Sequence, residues 1–147
     1  AKNDDGYIFY AHTKGSSRGG IVNQLWCRSM LFFSSVRWQH AIMPLIDSDS
    51  EAAGCHYISK DKFPEYFKMY KEHHPHGYSF FAGNFWWANT SYIKTLPEIT
   101  EKNYKLFNRG EFWILSKTHK IYPVSENSTV DRYQNLVFDQ KDFPSYF

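Results

Sequence analysis

The chain is poor in the residues that mark non-globular sequences. Only 8 Gly and 6 Pro occur in 147 residues, which excludes collagenous and low-complexity chains. No apolar run approaches the roughly 20 residues that span a bilayer, and Ala1-Lys2-Asn3-Asp4-Asp5-Gly6 has no apolar signal-peptide core. Charge of one sign is also scarce. The 17 basic and 15 acidic side chains leave a net charge of +2, too small and too dispersed for a nucleic-acid-binding surface. Nucleic acid therefore drops out as a partner, and no transmembrane segment is expected. Cys27 and Cys55 are the only cysteines and lack a CxxC spacing, so zinc and disulfide scaffolds are excluded and two free buried thiols are expected. There is no GxGxxG or Walker-type loop, and no local Ser/His/Asp or Cys/His nucleophile signature.

Aromatic residues, by contrast, make up 20% of the chain, well beyond what an ordinary core requires, and the length is that of one domain over residues 1–147. Tyr7 to Ala11 reads as a buried strand that runs into the polar loop His12-Thr13-Lys14-Gly15. From Ile21 to Ile46 the apolar spacing predicts one long helix, or two joined near Ser34-Ser35. Ala52 to Ile58 reads as a second core strand and Asp61 to His73 as an amphipathic helix. Further helices are expected over Ser91–Leu96, capped by Thr90, over Ile99–Phe107 and over Gly110–Leu115, with a strand at Lys120–Val124. This alternation of strands and helices predicts an α/β sandwich.

Four groups carry candidate chemistry. His12-Thr13-Lys14-Gly15 leaves a strand end, where open α/β sheets place ligands and where Gly and Lys suit a phosphate; the alternative is an ordinary strand-exit turn. Gly83-Asn84-Phe85-Trp86-Trp87-Ala88 joins an amide to adjacent indoles, a set that suits sugar hydroxyls and apolar ring faces; the alternative is a buried aromatic strand with one satisfied Asn. Glu111, among the aromatics of Arg109-Gly110-Glu111-Phe112-Trp113, is a candidate general base or else a solvated Glu in a first helical turn. Asp47-Ser48-Asp49 is a formal DxD, read chiefly as a surface turn and secondarily as a chelator of Mg²⁺ or Mn²⁺. The loop cluster His73, His74 and His76 is read as solvated rather than metal-binding. Asn89-Thr90-Ser91 and Asn127-Ser128-Thr129 match N-glycosylation acceptors and point to a secretory lumen; the reading adopted is a cytoplasmic protein.

Taken together, the blocks Tyr7 to Gly15, Leu25-Trp26-Cys27-Arg28-Ser29-Met30, Ala82 to Ala88 and Glu111-Phe112-Trp113-Ile114 resemble a family of small glycosyltransferases found among bacterial surface-polysaccharide genes and in large algal viruses. The resemblance implies a GT-A-like, Rossmann-like α/β/α sandwich that binds a nucleotide sugar and transfers a hexose or deoxyhexose to a glycan hydroxyl. It implies that His12, Thr13, Lys14 and Arg28 contact the donor phosphates. Gly83, Asn84, Phe85, Trp86 and Trp87 would shape the sugar or acceptor pocket, and Glu111 would act as the base of an inverting reaction. Where such enzymes carry a strand-end DxD this chain has His12-Thr13-Lys14, which leaves a divalent Mn or Mg ion open, with His12, Asp47 and Asp49 as candidate ligands. A complete GT-A domain also has a nucleoside-binding βαβ region before the first matching strand, where this chain has six residues without an initiator Met. The expectation is a C-terminal portion whose N-terminal half is missing or supplied by another chain. The rival expectation is a non-catalytic glycan-binding or structural module derived from the same fold.

Overall fold

The computed structural model describes residues 6–12, 21–59, 61–69, 79–105 and 111–125. In chain order the elements are strand β1 (Tyr7–Tyr10), helix α1 (Ile21–Leu31), a π-helical turn (Phe32–Val36), helix α2 (Trp38–Asp47), strands β2 (Ala52–Cys55) and β3 (Tyr57–Ile58), helix α3 (Pro64–Met69), strands β4 (Phe80–Phe81) and β5 (Trp86–Asn89), helix α4 (Thr90–Ile93) and strand β6 (Ile121–Ser125). The fold is mixed α/β. Four strands form a sheet in the order β1-β5-β2-β6, antiparallel except for the parallel β2–β6 pair. Strands β3 and β4 form a separate antiparallel pair.

Because side chains alternate across a strand, the register assigns each face. Ile8, Ala88, Ala52 and Ile121 share one face, and Phe9, Trp87, Ala53 and Tyr122 share the other. Ala41 and Leu45, one turn apart on α2, bury themselves against Ala53, Trp87 and Val124. The opposite face packs Ala52, Trp86 and Ala88 against Tyr92, Ile114 and Leu115. Small residues at the sheet centre let both layers approach closely, which is why the alanines are fully buried.

The helical run from Ile21 to Ile46 divides near Ser34, where a five-residue loop closes from the Arg37 N–H to the Phe32 carbonyl at 2.8 Å. Within this π turn the Ser34 carbonyl accepts the Trp87 indole N–H at 2.7 Å. The Ser34 hydroxyl and the buried Cys55 thiol lie 3.2 Å apart. Neither cysteine forms a disulfide among the described residues; Cys55 is buried and Cys27 half-buried.

Several expectations are corrected. The aromatic run at Tyr7 forms an edge strand rather than a buried one, with Tyr7, Ile8 and Tyr10 all exposed. The run Ala52–Ile58 breaks at His56, whose φ of 57° turns the chain out of the sheet, so that Tyr57 and Ile58 pair instead with Phe81 and Phe80. Thr90 does not cap its helix: Asn89 occupies the cap position, and the Thr90 hydroxyl accepts the Gly6 N–H at 2.8 Å. Helix α4 stops at Ile93 and residues 101–105 form turns. There the Asn103 side chain accepts from Thr100 N at 2.7 Å and donates to the Glu98 carbonyl at 2.8 Å, local bonds that compete with a helical ladder. Residues 111–115 are likewise turns rather than a helix. Of the helix expected from Asp61 to His73, the described part is α3 at Pro64–Met69; His73, His74 and His76 lie outside the described residues. Among the described residues no helix is long and apolar enough to cross a membrane.

Candidate functional site

The turn between β4 and β5 is the meeting point of the sequence blocks. The Asn84 N–H bonds the Phe81 carbonyl at 2.9 Å, with Gly83 at φ 94° in the position of that turn that requires a left-handed backbone. Asn84 follows at φ 58°, a conformation Asn tolerates better than most residues. Its Oδ1 accepts the Trp86 indole N–H at 2.8 Å and so fixes the ring orientation.

Two candidate side chains converge on Gly83. His12 Nε2 lies 2.8 Å from the Gly83 carbonyl oxygen, and Glu111 Oε1 accepts the Gly83 N–H at 3.2 Å. A carbonyl only accepts, so Nε2 carries the proton and in the neutral ring the lone pair resides on Nδ1. Helix α1 approaches the same residue. A Cβ at Gly83 would lie 3.3 Å from Trp26 Cζ2 and 3.1 Å from Met30 Cε, and would collide with Met30 Sδ. Residues from three of the blocks thus contact one glycine of the fourth.

The aromatic members divide by depth. Phe85 and Trp86 are buried in the core, Asn84 is nearly so, and Trp87 is half-buried on the opposite sheet face, stacked on Phe9 with ring centres 5.0 Å apart. Tyr10 stacks on Trp86 at 5.0 Å and 14°, and His12 tilts against Phe85 at 5.9 Å. Of the remaining candidates, Arg28 is exposed on α1, and Thr13 and Lys14 lie outside the described residues. Asp47 and Asp49 are exposed after α2, where Asp49 pairs with Lys120 at 2.9 Å. Among the described residues no three His, Cys, Asp or Glu side chains are grouped to hold a metal ion. The DxD aspartates therefore belong to a surface turn, apart from the Gly83 cluster in which His12 sits.

No family model, curated protein or solved structure matches the chain.

Sequence reasoning did not assign a role to Tyr10, Trp26 or Met30. The signal for Tyr10 was available, since it stands two residues before His12 in an extended segment and so shares its face. The packing of Met30 on Gly83 joins residues more than fifty positions apart and leaves no local trace.

Proposed function

We propose that the chain is a glycosyltransferase domain of GT-A type, or the C-terminal portion of one, which transfers a hexose or deoxyhexose from a nucleotide sugar to a glycan hydroxyl in polysaccharide or glycoprotein glycan synthesis. The observation that carries this reading is the convergence of three of the resembling blocks on Gly83 of the fourth. In this reading Thr13, Lys14 and Arg28 hold the diphosphate, the Nε2 proton of His12 being taken by the Gly83 carbonyl, and the protein acts in the cytoplasm. Glu111 is the base: its carboxylate takes the proton of the acceptor hydroxyl as that oxygen attacks the anomeric carbon and the bond to the leaving phosphate breaks, with inversion.

Glu111→Gln separates this role from a purely structural one. Glutamine keeps an oxygen able to accept the Gly83 N–H but cannot act as the base, so transfer should fall by about 10²–10⁴-fold. Calorimetric titration with UDP, GDP and their sugars should give nearly the same affinity for the variant as for the parent chain. Undiminished transfer would remove Glu111 from the mechanism. A second reading, a non-catalytic glycan-binding or structural module, is supported by the fact that His12 Nε2 and Glu111 Oε1 both brace the Gly83 backbone. A folded chain that binds glycans but neither nucleotide would favour it.

A further inference from the structure

We propose that the solvent-facing side of the Tyr10 ring is the stacking platform for a hexopyranose ring of the acceptor glycan, with His12 Nδ1 accepting a hydrogen bond from one of its hydroxyls. The proposal rests on the transferase reading and assigns a substrate contact to a residue outside the Gly83–Trp87 block. Phe85 and Trp86 are 3% and 4% exposed, so they have no ring face to offer a ligand. Tyr10 is 40% exposed and lies directly over Trp86, its cross-strand partner. One face of the phenol is therefore taken by the indole, and among the described rings only His12 lies near it besides.

A pyranose is amphipathic: its axial C–H groups make an apolar face, and its hydroxyls project around the rim. It needs a flat apolar surface with a hydrogen-bonding group at the edge. Tyr10 supplies the surface. The exposed His12 ring, 6.4 Å away and inclined at 29°, supplies the edge group, with Nε2 already engaged by the Gly83 carbonyl and the Nδ1 lone pair left as acceptor. The platform is preorganised. Trp86 is held by Asn84 Oδ1 at 2.8 Å, Asn84 by the turn, and Tyr10 by the strand register, so little rotamer freedom remains to be lost on binding. His12 bonds the Gly83 carbonyl and Glu111 accepts the Gly83 N–H, so the platform's edge group and the base are anchored to the same turn residue.

The test uses the full chain as wild type, Tyr10→Phe and Tyr10→Leu. Methyl gluco-, galacto- and mannopyranosides are the probes in saturation-transfer NMR, with UDP and GDP titrated calorimetrically alongside. Leucine keeps apolar packing on Trp86 without a flat ring, and circular dichroism checks that each variant is folded. At least one glycoside should receive saturation at its ring C–H protons. Tyr10→Phe should stay within about twofold of wild type, while Tyr10→Leu should bind about tenfold more weakly with nucleotide affinity unchanged. Equal glycoside binding by Tyr10→Leu overturns the platform. So does nucleotide binding without saturation of any glycoside, an outcome that leaves the transferase reading standing; absence of both nucleotide and glycoside binding overturns the two together.

Discussion

At Gly83 two separate demands fall on the same atom. The backbone at φ 94° disfavours any L side chain, and the space a Cβ would need is filled by the Met30 thioether. Gly83→Ala should therefore destabilise the chain by about 2–3 kcal/mol in urea denaturation, combining left-handed strain with overpacking. Met30→Ala alone should cost about 2–5 kcal/mol, since the side chain is fully buried. In the double variant the collision disappears, so its loss should be smaller than the sum of the two; strict additivity would mean that only backbone strain acts at Gly83. The glycine was legible in the sequence only as the small residue of the Gly83–Ala88 block, whose alternative reading was a buried aromatic strand; the turn at Gly83-Asn84 was not read there. Nor was the glycine's contact with Met30 legible, because nothing in the local pattern says which helix will cross that turn.

Element by element, what was legible follows from the distance over which each element is determined. The division of the long helical run near Ser34 and the strand at Ile121 depend on local composition, and both occur. The position of β1 in the sheet depends on partners far along the chain. An aromatic, β-branched run has the same sequence at an edge as at the centre, so Tyr7–Tyr10 was expected to be buried and is an edge strand instead. The turns at residues 101–105 and 111–115 were expected to be helical because apolar residues under an irregular loop mimic helical spacing. At the start of β1, Thr90 takes up both Gly6 groups, its N–H donating to the Gly6 carbonyl at 2.9 Å and its hydroxyl accepting the Gly6 N–H at 2.8 Å. Thr90→Val keeps the first bond and removes the second. A loss of about 1 kcal/mol is expected, accompanied by faster hydrogen exchange at the Gly6 amide; unchanged exchange there would show that the hydroxyl does not hold the strand end.

For the molecule as a whole, Tyr92 ties stability to alkaline pH. Its hydroxyl is buried and donates to the Ile114 carbonyl at 2.6 Å, and burial pushes its pKa well above the ordinary 10.0. The folded state therefore holds the proton more tightly than the unfolded state. The resulting stabilisation is complete below pH 10 and drains away as the pH climbs from there toward the raised folded value. Urea midpoints measured at pH 8 and pH 11 should fall for the parent chain and fall less for Tyr92→Phe; parallel declines would assign the alkaline loss to other groups. The sheet also has an order of assembly written into it. Strand β1 leaves the ribosome before the other described strands, yet its partner in the sheet among the described residues, β5, begins at Trp86, and β2 must wait for Ile121 to pair with β6. During synthesis the uncharged Tyr7-Ile8-Phe9-Tyr10 segment is thus an aromatic ribbon without its β5 partner until Trp86–Asn89 is made, and that interval is when a chaperone has most to shield.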